Sequence, residues 1–317
     1  MLAAIRSMSA ANRGALLLVV GISIFGFSDN LTLFVSDQVG VGQFHFTRSL
    51  FAIVMVMLMG RIFGLRLVPQ RWLPVLARTG FMVTAILLYF AVMPMMPIAE
   101  AGAGLFTSPI FVLIYSIVLF REKVGWRRGL AVCIGSAGVL LVLRPTGEGF
   151  SVYHLLPVVS GASYAMGSVI TYRYLADESP LAILMSFFVT IGLAGGLVAS
   201  SFSLFPVPAD LFSDAPFLYR GWSQVDQMFL VWMAIIALGA SLALSLMTRA
   251  YQLTLTSYAA IYEYAYLLSV GFFGWLFWNV VPDLISFIGI GLIVVAGITI
   301  VLAQQQAADL QTDIAER

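Results

Sequence analysis

Long apolar segments alternate with short polar turns along almost the whole chain. Ten of these segments hold roughly 20 mainly apolar residues each, which is the length a helix needs to cross the hydrocarbon core of a bilayer. Prolines fall between the segments, where helices are expected to end. The pattern predicts an all-α integral membrane protein with ten transmembrane helices. The predicted spans cover residues 14–35, 43–63, 74–94, 98–120, 126–144, 152–174, 181–203, 227–249, 256–278 and 283–303.

The composition agrees with this prediction and excludes several other classes of protein. Hydrophobic residues make up 61% of the 317 residues and charged residues only 10%, whereas a soluble domain carries about 25% charged residues because its surface faces water. The net charge of +1 includes no basic block of the kind that binds nucleic acid. Cys133 is the only cysteine, and His45 and His154 are the only histidines. The sequence therefore predicts no disulfide, no metal site and no cofactor.

The lysines and arginines of the turns lie mostly on one side of the predicted helices. If the N-terminus is cytoplasmic, nearly all of them fall on the inner side, and only Arg144 and Arg220 fall on the outer side. Positive residues accumulate on the cytoplasmic side of membrane proteins. We therefore expect a multi-pass protein of the cytoplasmic (inner) membrane with both termini inside. The acidic loop 204–226 then lies outside, and the polar residues 304–317 form a frayed cytoplasmic tail.

Two stretches of the chain, Phe106–Leu143 and Ile261–Leu302, share a layout. Each holds a span that is perturbed near its start, a short turn and a glycine-spaced span, which indicates an internal repeat. The repeat divides the chain into halves at residues 14–144 and 152–303. Because five spans is an odd number, the two halves must have opposite orientations. Transporters built in this way bind their solute near the bilayer midplane where the halves meet, here between spans four and nine.

At these residues the sequence resembles a known family. The segment Pro97–Pro145, PIAEAGAGLFTSPIFVLIYSIVLFREKVGWRRGLAVCIGSAGVLLVLRP, and its counterpart Thr248–Asp283, with the pair Glu263 and Tyr264, are similar to the EamA family of the drug/metabolite transporter (DMT) superfamily. The resemblance implies ten helices as two inverted five-helix repeats, a central cavity and alternating access. It also implies small organic solutes, such as amino acids and other metabolites, as substrates. Asn279 departs from the family pattern, because the family's second half often has a carboxylate there.

Candidate binding residues follow from the ionisable and polar side chains inside the spans. A charge at the bilayer centre costs about 2.5 kcal/mol or more, so such residues normally face a cavity or a partner. Glu263 is the strongest candidate, because a carboxylate among tyrosines could hold an amine-bearing solute or a proton; the alternative is a hydrogen bond that joins two helices. Pro109 breaks span four, and polar residues beside it are expected to line the cavity. The predicted substrate-binding residues are Glu263, Tyr264, Tyr262, Tyr266, Thr107 and Ser108.

Three further residues are predicted to form gates or ion pairs. Asp29 and Arg48 lie at matched depth in spans one and two, and they could pair across the hairpin; alternatively, Arg48 meets a substrate carboxylate. Glu100, just inside span four, is either an interfacial carboxylate near a helix N-terminus or part of the rim of the outer half-cavity. Trp278, at the end of span nine, is expected in the interfacial aromatic belt.

Together these features predict a secondary transporter that moves a small organic metabolite by alternating access. An amino-acid-like or amine solute is favoured, and proton coupling, direction and a homodimeric assembly are left open. The expected partners are the solute and membrane lipid. The alternatives are a non-transporting membrane scaffold or sensor, and a membrane-embedded enzyme. The enzyme is disfavoured because the sequence has no nucleophile motif and no metal-spaced cluster.

Overall fold

The computed structural model describes residues 10–121, 126–143, 151–175, 177–253 and 265–315, and all the regular secondary structure in these ranges is helical. The longer helices lie within a few residues of most of the predicted spans. Their bounds are α1 Ala10–Asn30, α2 Val41–Phe63, α3 Trp72–Ala91, α4 in two pieces at Ile98–Leu105 and Ser108–Phe120, α5 Trp126–Leu143, α6 Leu156–Tyr174, α7 Pro180–Leu204, α8 Gln227–Leu253, α9 Ala265–Trp278 and α10 Leu284–Ala315. Short 3-10 helices occupy Leu31–Phe34, Met93–Met95 and Val152–Leu155, and short α-helices occupy Ala209–Asp214 and Pro216–Tyr219.

Six helical stretches in the described residues are long and apolar enough to cross a membrane. At 1.5 Å per residue, stretches of this length span about 30 Å or more, the thickness of the hydrocarbon core. Shorter apolar helices at Gly129–Val142, Ala265–Trp278 and Leu284–Thr299 accompany them. The six long stretches are Arg13–Phe34, Val41–Phe63, Trp72–Met95, Ile98–Leu119, Pro180–Leu204 and Gln227–Met247.

Large apolar side chains cover the outside of the helix assembly. Leu73 is 80% exposed, Leu268 78%, Ile62 74% and Leu197 70%. A soluble protein rarely exposes apolar patches of this extent, because apolar surface in water is costly. These faces meet lipid chains, so the described helices form a multi-pass membrane protein.

The break in span four lies where the sequence predicts it. The first piece of α4 ends at Leu105, and Ser108 begins the second, with Pro109 at its second position. Proline has no N–H to donate and crowds the preceding turn, so the helix cannot pass through without interruption. Phe106 N donates to Gly102 O at 2.9 Å and closes the first piece.

The ends of α4 and α9 share a backbone feature. Arg121 and Asn279, each the first residue after its helix, both have φ of 54°, in the left-handed region. Helices very commonly end on such a residue, and asparagine is among the side chains that tolerate it best. Asn279 therefore has a structural reason for its place at the end of α9.

The C-terminal helix differs from the prediction. We expected the last span to end at residue 303 and a frayed tail to follow, but α10 continues without a break to Ala315. The segment from Gln304 contains neither proline nor glycine, and it is rich in alanine and glutamine, which favour helix.

The turn between α6 and α7 is tied to the turn between α2 and α3. The Glu178 carboxylate accepts hydrogen bonds from the backbone N–H groups of Gln70 (2.9 Å), Arg71 (3.0 Å) and Ser179 (3.1 Å). Burial alone would raise the pKa of Glu178, but these three N–H groups and the guanidinium of Arg66 outweigh it and hold that pKa below its ordinary value. The contact is a charged clamp between two turns on one side of the protein.

Helices from the first part of the chain pack mainly against helices from the second. α1 lies along α8 and α9, and α6 lies along α3 and α4. α2 packs on α7 and α8, α7 also packs on α3, α4 contacts α9, and α5 pairs with α10. The α5–α10 crossing is very close: a Cβ on Gly138 would lie 2.6 Å from Gly289 O, and a Cβ on Gly289 would lie 2.7 Å from Gly138 O. Glycine permits this approach, which is common between membrane helices.

Candidate functional site

Three polar side chains form a buried hydrogen-bonded cluster where α1, α3 and α9 meet. Tyr266 Oη donates to Asp29 Oδ2 at 2.5 Å, and the hydroxyls of Tyr266 and Tyr89 share a second short hydrogen bond. The exposed fractions of Asp29, Tyr89 and Tyr266 are 6%, 1% and 6%. A carboxylate buried among apolar helices needs such donors, because its desolvation is expensive. We call these three residues the Asp29 cluster.

The close packing of α1 on α9 positions this cluster. Gly26 allows the contact, since a Cβ there would lie only 2.8 Å from Val270 N. One turn later, Asn30 Nδ2 donates both to Gly26 O at 2.8 Å and to Val270 O at 3.1 Å. The bond to Val270 O joins the two helices, with Asp29 opposite Tyr266.

Arg48 lies beside the cluster in an aromatic enclosure. It is only 4% exposed, and its guanidinium carbon lies 4.8 Å from the ring centre of Phe90 and 5.3 Å from that of Phe44. Cation–π attraction stabilises a charge in this position. Arg48 Nη2 lies 3.1 Å from His45 Nδ1. Because a guanidinium has no acceptor, Nδ1 must accept, and His45 is therefore neutral with its proton on Nε2.

Asp29 and Arg48 lie near each other, as the sequence predicts, but they bond to other partners. The charge of Arg48 acts on Asp29, while the carboxylate is engaged by Tyr266 and the guanidinium by His45. These contacts take the place of a direct ion pair between the two side chains. Arg48 Nε is buried and has no hydrogen-bond partner among the described residues.

The structure brings α4 and α9 together at Tyr266. The ring of Phe106 stacks on that of Tyr266 at 5.4 Å between centres, and a Cβ on Gly102 would lie 3.1 Å from Tyr266 Cε1. Of the predicted substrate-binding residues, Tyr266 is in the cluster. Thr107, which follows Phe106 in the break of α4, is buried and donates to Gly104 O at 2.6 Å.

The remaining predicted residues divide into two groups. Ser108 and Glu100 are partly buried in α4, with Glu100 in the first turn of the helix. Glu263, Tyr262 and Tyr264 lie outside the described residues. Their proposed role as binding residues stays a prediction.

A cavity of about 410 Å³ opens at the end of the molecule where α1 and α9 finish. This is the size range of small-molecule sites. Asn30, which anchors α1 to α9, forms part of its wall, and Val270, its bonding partner, lies beside it. Tyr266 is one helical turn deeper than Val270, so the Asp29 cluster lies directly beyond the cavity wall. We call this the α1/α9 cavity; its lining is Asn30, Leu33, Ser36, Asp37, Met93, Pro94, Met95, Met96, Pro97, Ile98, Ala99, Val270, Gly271, Gly274, Trp278, Val280 and Pro282.

A second cavity, of about 400 Å³, lies between the α3–α4 link, the start of α6 and the short helix Pro216–Tyr219. Phe217 and Tyr153 are among its lining residues. Phe217 also contacts Phe44 at 6.1 Å between ring centres, and Phe44 in turn covers Arg48. An aromatic layer therefore separates this cavity from the buried guanidinium.

Sequence reasoning missed two residues of the site. His45 and Asn30 were not predicted to act there, although a polar residue inside an apolar span is the signal that could have found them. Tyr89 was predicted only as one of several aromatic residues that belong to the interface belts or to the cavity. Trp278 was expected in an interfacial belt, and it also lines the α1/α9 cavity. A tryptophan at the end of a span meets the requirements of both positions.

Comparison with known proteins agrees with this architecture. Residues 12–144 match the EamA-like transporter family. The chain is 26% identical over 289 residues to the pseudopaline exporter CntI of Pseudomonas aeruginosa (strain UCBPP-PA14), a match that covers 90% of this chain and 95% of the exporter. It is 22% identical over 211 residues to an S-adenosylmethionine uptake transporter of Rickettsia bellii, covering 67% of this chain and 66% of that protein.

Two further similarities extend the comparison. A riboflavin transporter of Vibrio cholerae is 27% identical over 202 residues, covering 63% of this chain and 61% of that protein. A solved crystal structure matches with a TM-score of 0.56 at 20% identity, over 93% of this chain and 96% of the other, and this match shows the fold alone. Residues 12–144 therefore match the EamA-like transporter family, and over most of its length the chain is similar to multi-pass membrane transporters.

Proposed function

We propose that the protein is a secondary transporter of the cytoplasmic membrane that carries a small organic solute by alternating access. The observation that carries this proposal is the buried Asp29 cluster next to the α1/α9 cavity. A carboxylate at membrane depth is expensive, and it normally serves a solute, an ion pathway or a gate. The cluster also joins α1, α3 and α9, so a solute that bound Asp29 would change the contacts among three helices.

The pairing of helices supports two related halves, residues 14–144 and 152–303, with 304–317 as an extension. If the two halves are equivalent, the helices correspond in order: α1 to α6, α2 to α7, α3 to α8, α4 to α9 and α5 to α10. The main contacts between the two halves then become other contacts that the fold contains: α1–α8 becomes α6–α3, α1–α9 becomes α6–α4, and α2–α8 becomes α7–α3. The α2–α7, α4–α9 and α5–α10 pairs map onto themselves. Two halves of five helices related in this way have opposite orientations in the membrane.

The distribution of arginine and lysine supports a cytoplasmic location for both termini. With that orientation, both cavities lie at the outer side of the membrane. Alternating access then requires a second arrangement, in which the outer cavities close and the same site opens inward. Separation of α1 from α9 at the Asp29 cluster is the rearrangement that we infer.

The solute that we propose is a metabolite bearing an amine or an amino-acid-like group. An ammonium group can replace the Tyr266 hydroxyl as the donor to Asp29, and Arg48 could meet a carboxylate of the same solute. The relatives carry names that describe an exporter and uptake transporters, so direction is part of the proposal to be tested. Protonation of Asp29 through the Tyr89–Tyr266 hydroxyls offers a route for proton coupling.

The test is flux in proteoliposomes. Purified protein would be reconstituted and assayed with a panel of radiolabelled metabolites, with and without a pH gradient. Asp29→Asn should lower the flux of any transported amine by about 10- to 100-fold, the value of a hydrogen bond to a charged group. Asp210→Asn is the matched control, because it makes the same change on an exposed loop helix and should leave the flux intact. A panel that shows no flux in wild-type protein would contradict the proposal, and equal rates for the two variants would remove Asp29 from the site.

A further inference from the structure

The wall of the α1/α9 cavity is mostly apolar, and its charge is negative. Most of its lining is apolar, with three methionines and three prolines, and the charged residue in the wall is Asp37. Within the described residues, the lining contains no lysine, arginine or histidine. A solute with a negative group would therefore meet no cation in this cavity, while a positive group would meet a carboxylate.

Asn30 supplies an unused acceptor at the inner end of the cavity. Its side chain is fully buried, and its Nδ2 makes two hydrogen bonds, but its Oδ1 has no partner among the described residues. Gly274 faces this oxygen, since a Cβ on Gly274 would lie 3.5 Å from Oδ1. A buried acceptor without a donor costs about 1–3 kcal/mol. A solute that brings an N–H group to this wall recovers that cost, whereas a solute carboxylate does not.

Two carboxylates close to Asn30 in the sequence favour the same kind of solute. Asp29 precedes it in the sequence and lies beyond the wall, and Asp37 lies in the wall seven residues later. Arg220 is close to Asp37, but it donates to the main-chain oxygen and not to the carboxylate. Beyond Asp29, Arg48 is enclosed by Phe44 and Phe90. A solute in the cavity therefore lies closer to the oxygen acceptors of Asp37 and Asn30 than to the enclosed guanidinium of Arg48.

Trp278 adds an aromatic surface and a donor. It lies 4.7 Å from Phe34 between ring centres, and Phe34 stacks flat on Trp232 at 4.8 Å. Aromatic rings attract cations through their faces. The indole Nε1 of Trp278 is buried without a hydrogen-bond partner among the described residues, so it can donate to an oxygen or nitrogen on the body of the solute.

From these features we propose that the α1/α9 cavity is the first binding site for the solute and that it selects a protonated amine on an apolar, preferably aromatic, body. A carboxylate is not required for binding and is disfavoured on the same body. This inference rests on the proposed transport function, which it narrows from amino-acid-like or amine solutes to amines.

The experiment compares probes that share a ring but differ in charge. Binding of radiolabelled tryptamine and phenethylamine to the full-length protein in nanodiscs would be measured against indole-3-acetate and phenylacetate. We expect the amines to bind at least about tenfold more tightly than the carboxylates, the value of one hydrogen bond to a charged group. Asp37→Asn should lower the ratio of amine affinity to carboxylate affinity. Equal binding of the two classes, tighter binding of the carboxylates, or no binding of either amine at millimolar concentration would overturn the proposal.

Two glycines provide a matched pair of variants, one inside the cavity and one outside it. Gly274→Ala places a methyl group 3.5 Å from Asn30 Oδ1, at an ordinary contact distance, and so covers the acceptor without forcing a neighbour to move. Gly291→Ala on α10 adds the same methyl outside the cavity, where nothing lies within 4 Å. We expect the first variant to weaken amine binding about tenfold and the second to change it little. Equal effects of the two variants would refute the role of Asn30.

Equilibrium binding and flux separate this inference from the proposed function. Amine binding that Gly274→Ala weakens, in a protein that shows no flux, would support the cavity assignment and remove the transport proposal. Flux of solutes whose binding favours carboxylates, or is untouched by Gly274→Ala, would support transport and overturn the cavity assignment.

Discussion

The Tyr266 hydroxyl offers a direct measure of what the Asp29 cluster contributes to the fold. Tyr266→Phe removes one oxygen and keeps the ring, which packs against Phe106 and Gly102. The lost bond joins a hydroxyl to a buried carboxylate, and such bonds contribute about 1.5–3 kcal/mol. A neutral hydrogen bond between membrane helices contributes about 0.6 kcal/mol on average. We therefore expect Tyr266→Phe to lower the free energy of unfolding by about 2 kcal/mol or more.

Tyr115→Phe is the control for this measurement. Tyr115 Oη donates to Ala162 O at 3.2 Å, so its loss breaks an ordinary bond between α4 and α6. The free energy of unfolding would be measured by titration with sodium dodecyl sulfate from mixed micelles, followed by tryptophan fluorescence. A double-mutant cycle of Tyr266→Phe with Asp29→Asn should then give a coupling of about 1 kcal/mol or more. Equal costs for the two tyrosine variants, or a coupling near zero, would refute the assignment of Tyr266 as the donor that stabilises Asp29.

Two further predictions concern the helix crossing and the turn clamp. Gly138→Val should separate α5 from α10, because its Cβ would lie 2.6 Å from the Gly289 carbonyl oxygen. We expect it to lower the free energy of unfolding by about 1–3 kcal/mol and to lower the melting temperature accordingly. Gly291→Ala on α10, where a Cβ meets nothing within 4 Å, should leave the melting temperature unchanged. Glu178→Gln should lower the melting temperature at neutral pH. Since the folded pKa of Glu178 lies below its ordinary value, its contribution is fully present above the ordinary carboxyl pKa and is lost as the pH falls through the folded pKa. The difference in melting temperature between wild type and Glu178→Gln should therefore disappear in acid, and a difference that persists there would contradict the clamp.

The sequence determined the helices of this protein because a bilayer places only a few requirements on a chain that crosses it. Long apolar helices are stable in a bilayer, and unpaired backbone groups are costly there. The spans, the break at Pro109 and the class of protein therefore follow from hydropathy and proline positions. The layout shared by the two stretches also predicted an internal repeat. These features depend on neighbours a few residues apart, which a sequence displays directly.

The site was decided by tertiary packing. Asp29 and Tyr266 are 237 residues apart, and their bond exists because Gly26 lets α1 approach α9. Arg48 was predicted either to pair with Asp29 or to meet a substrate carboxylate. The fold places His45 Nδ1 within its reach and two aromatic rings around it. The place of Trp278 in the cavity wall has the same cause. A helix that is apolar on all sides gives no periodic signal of which face meets a partner and which meets lipid, so only the three-dimensional arrangement assigns its polar residues to one another.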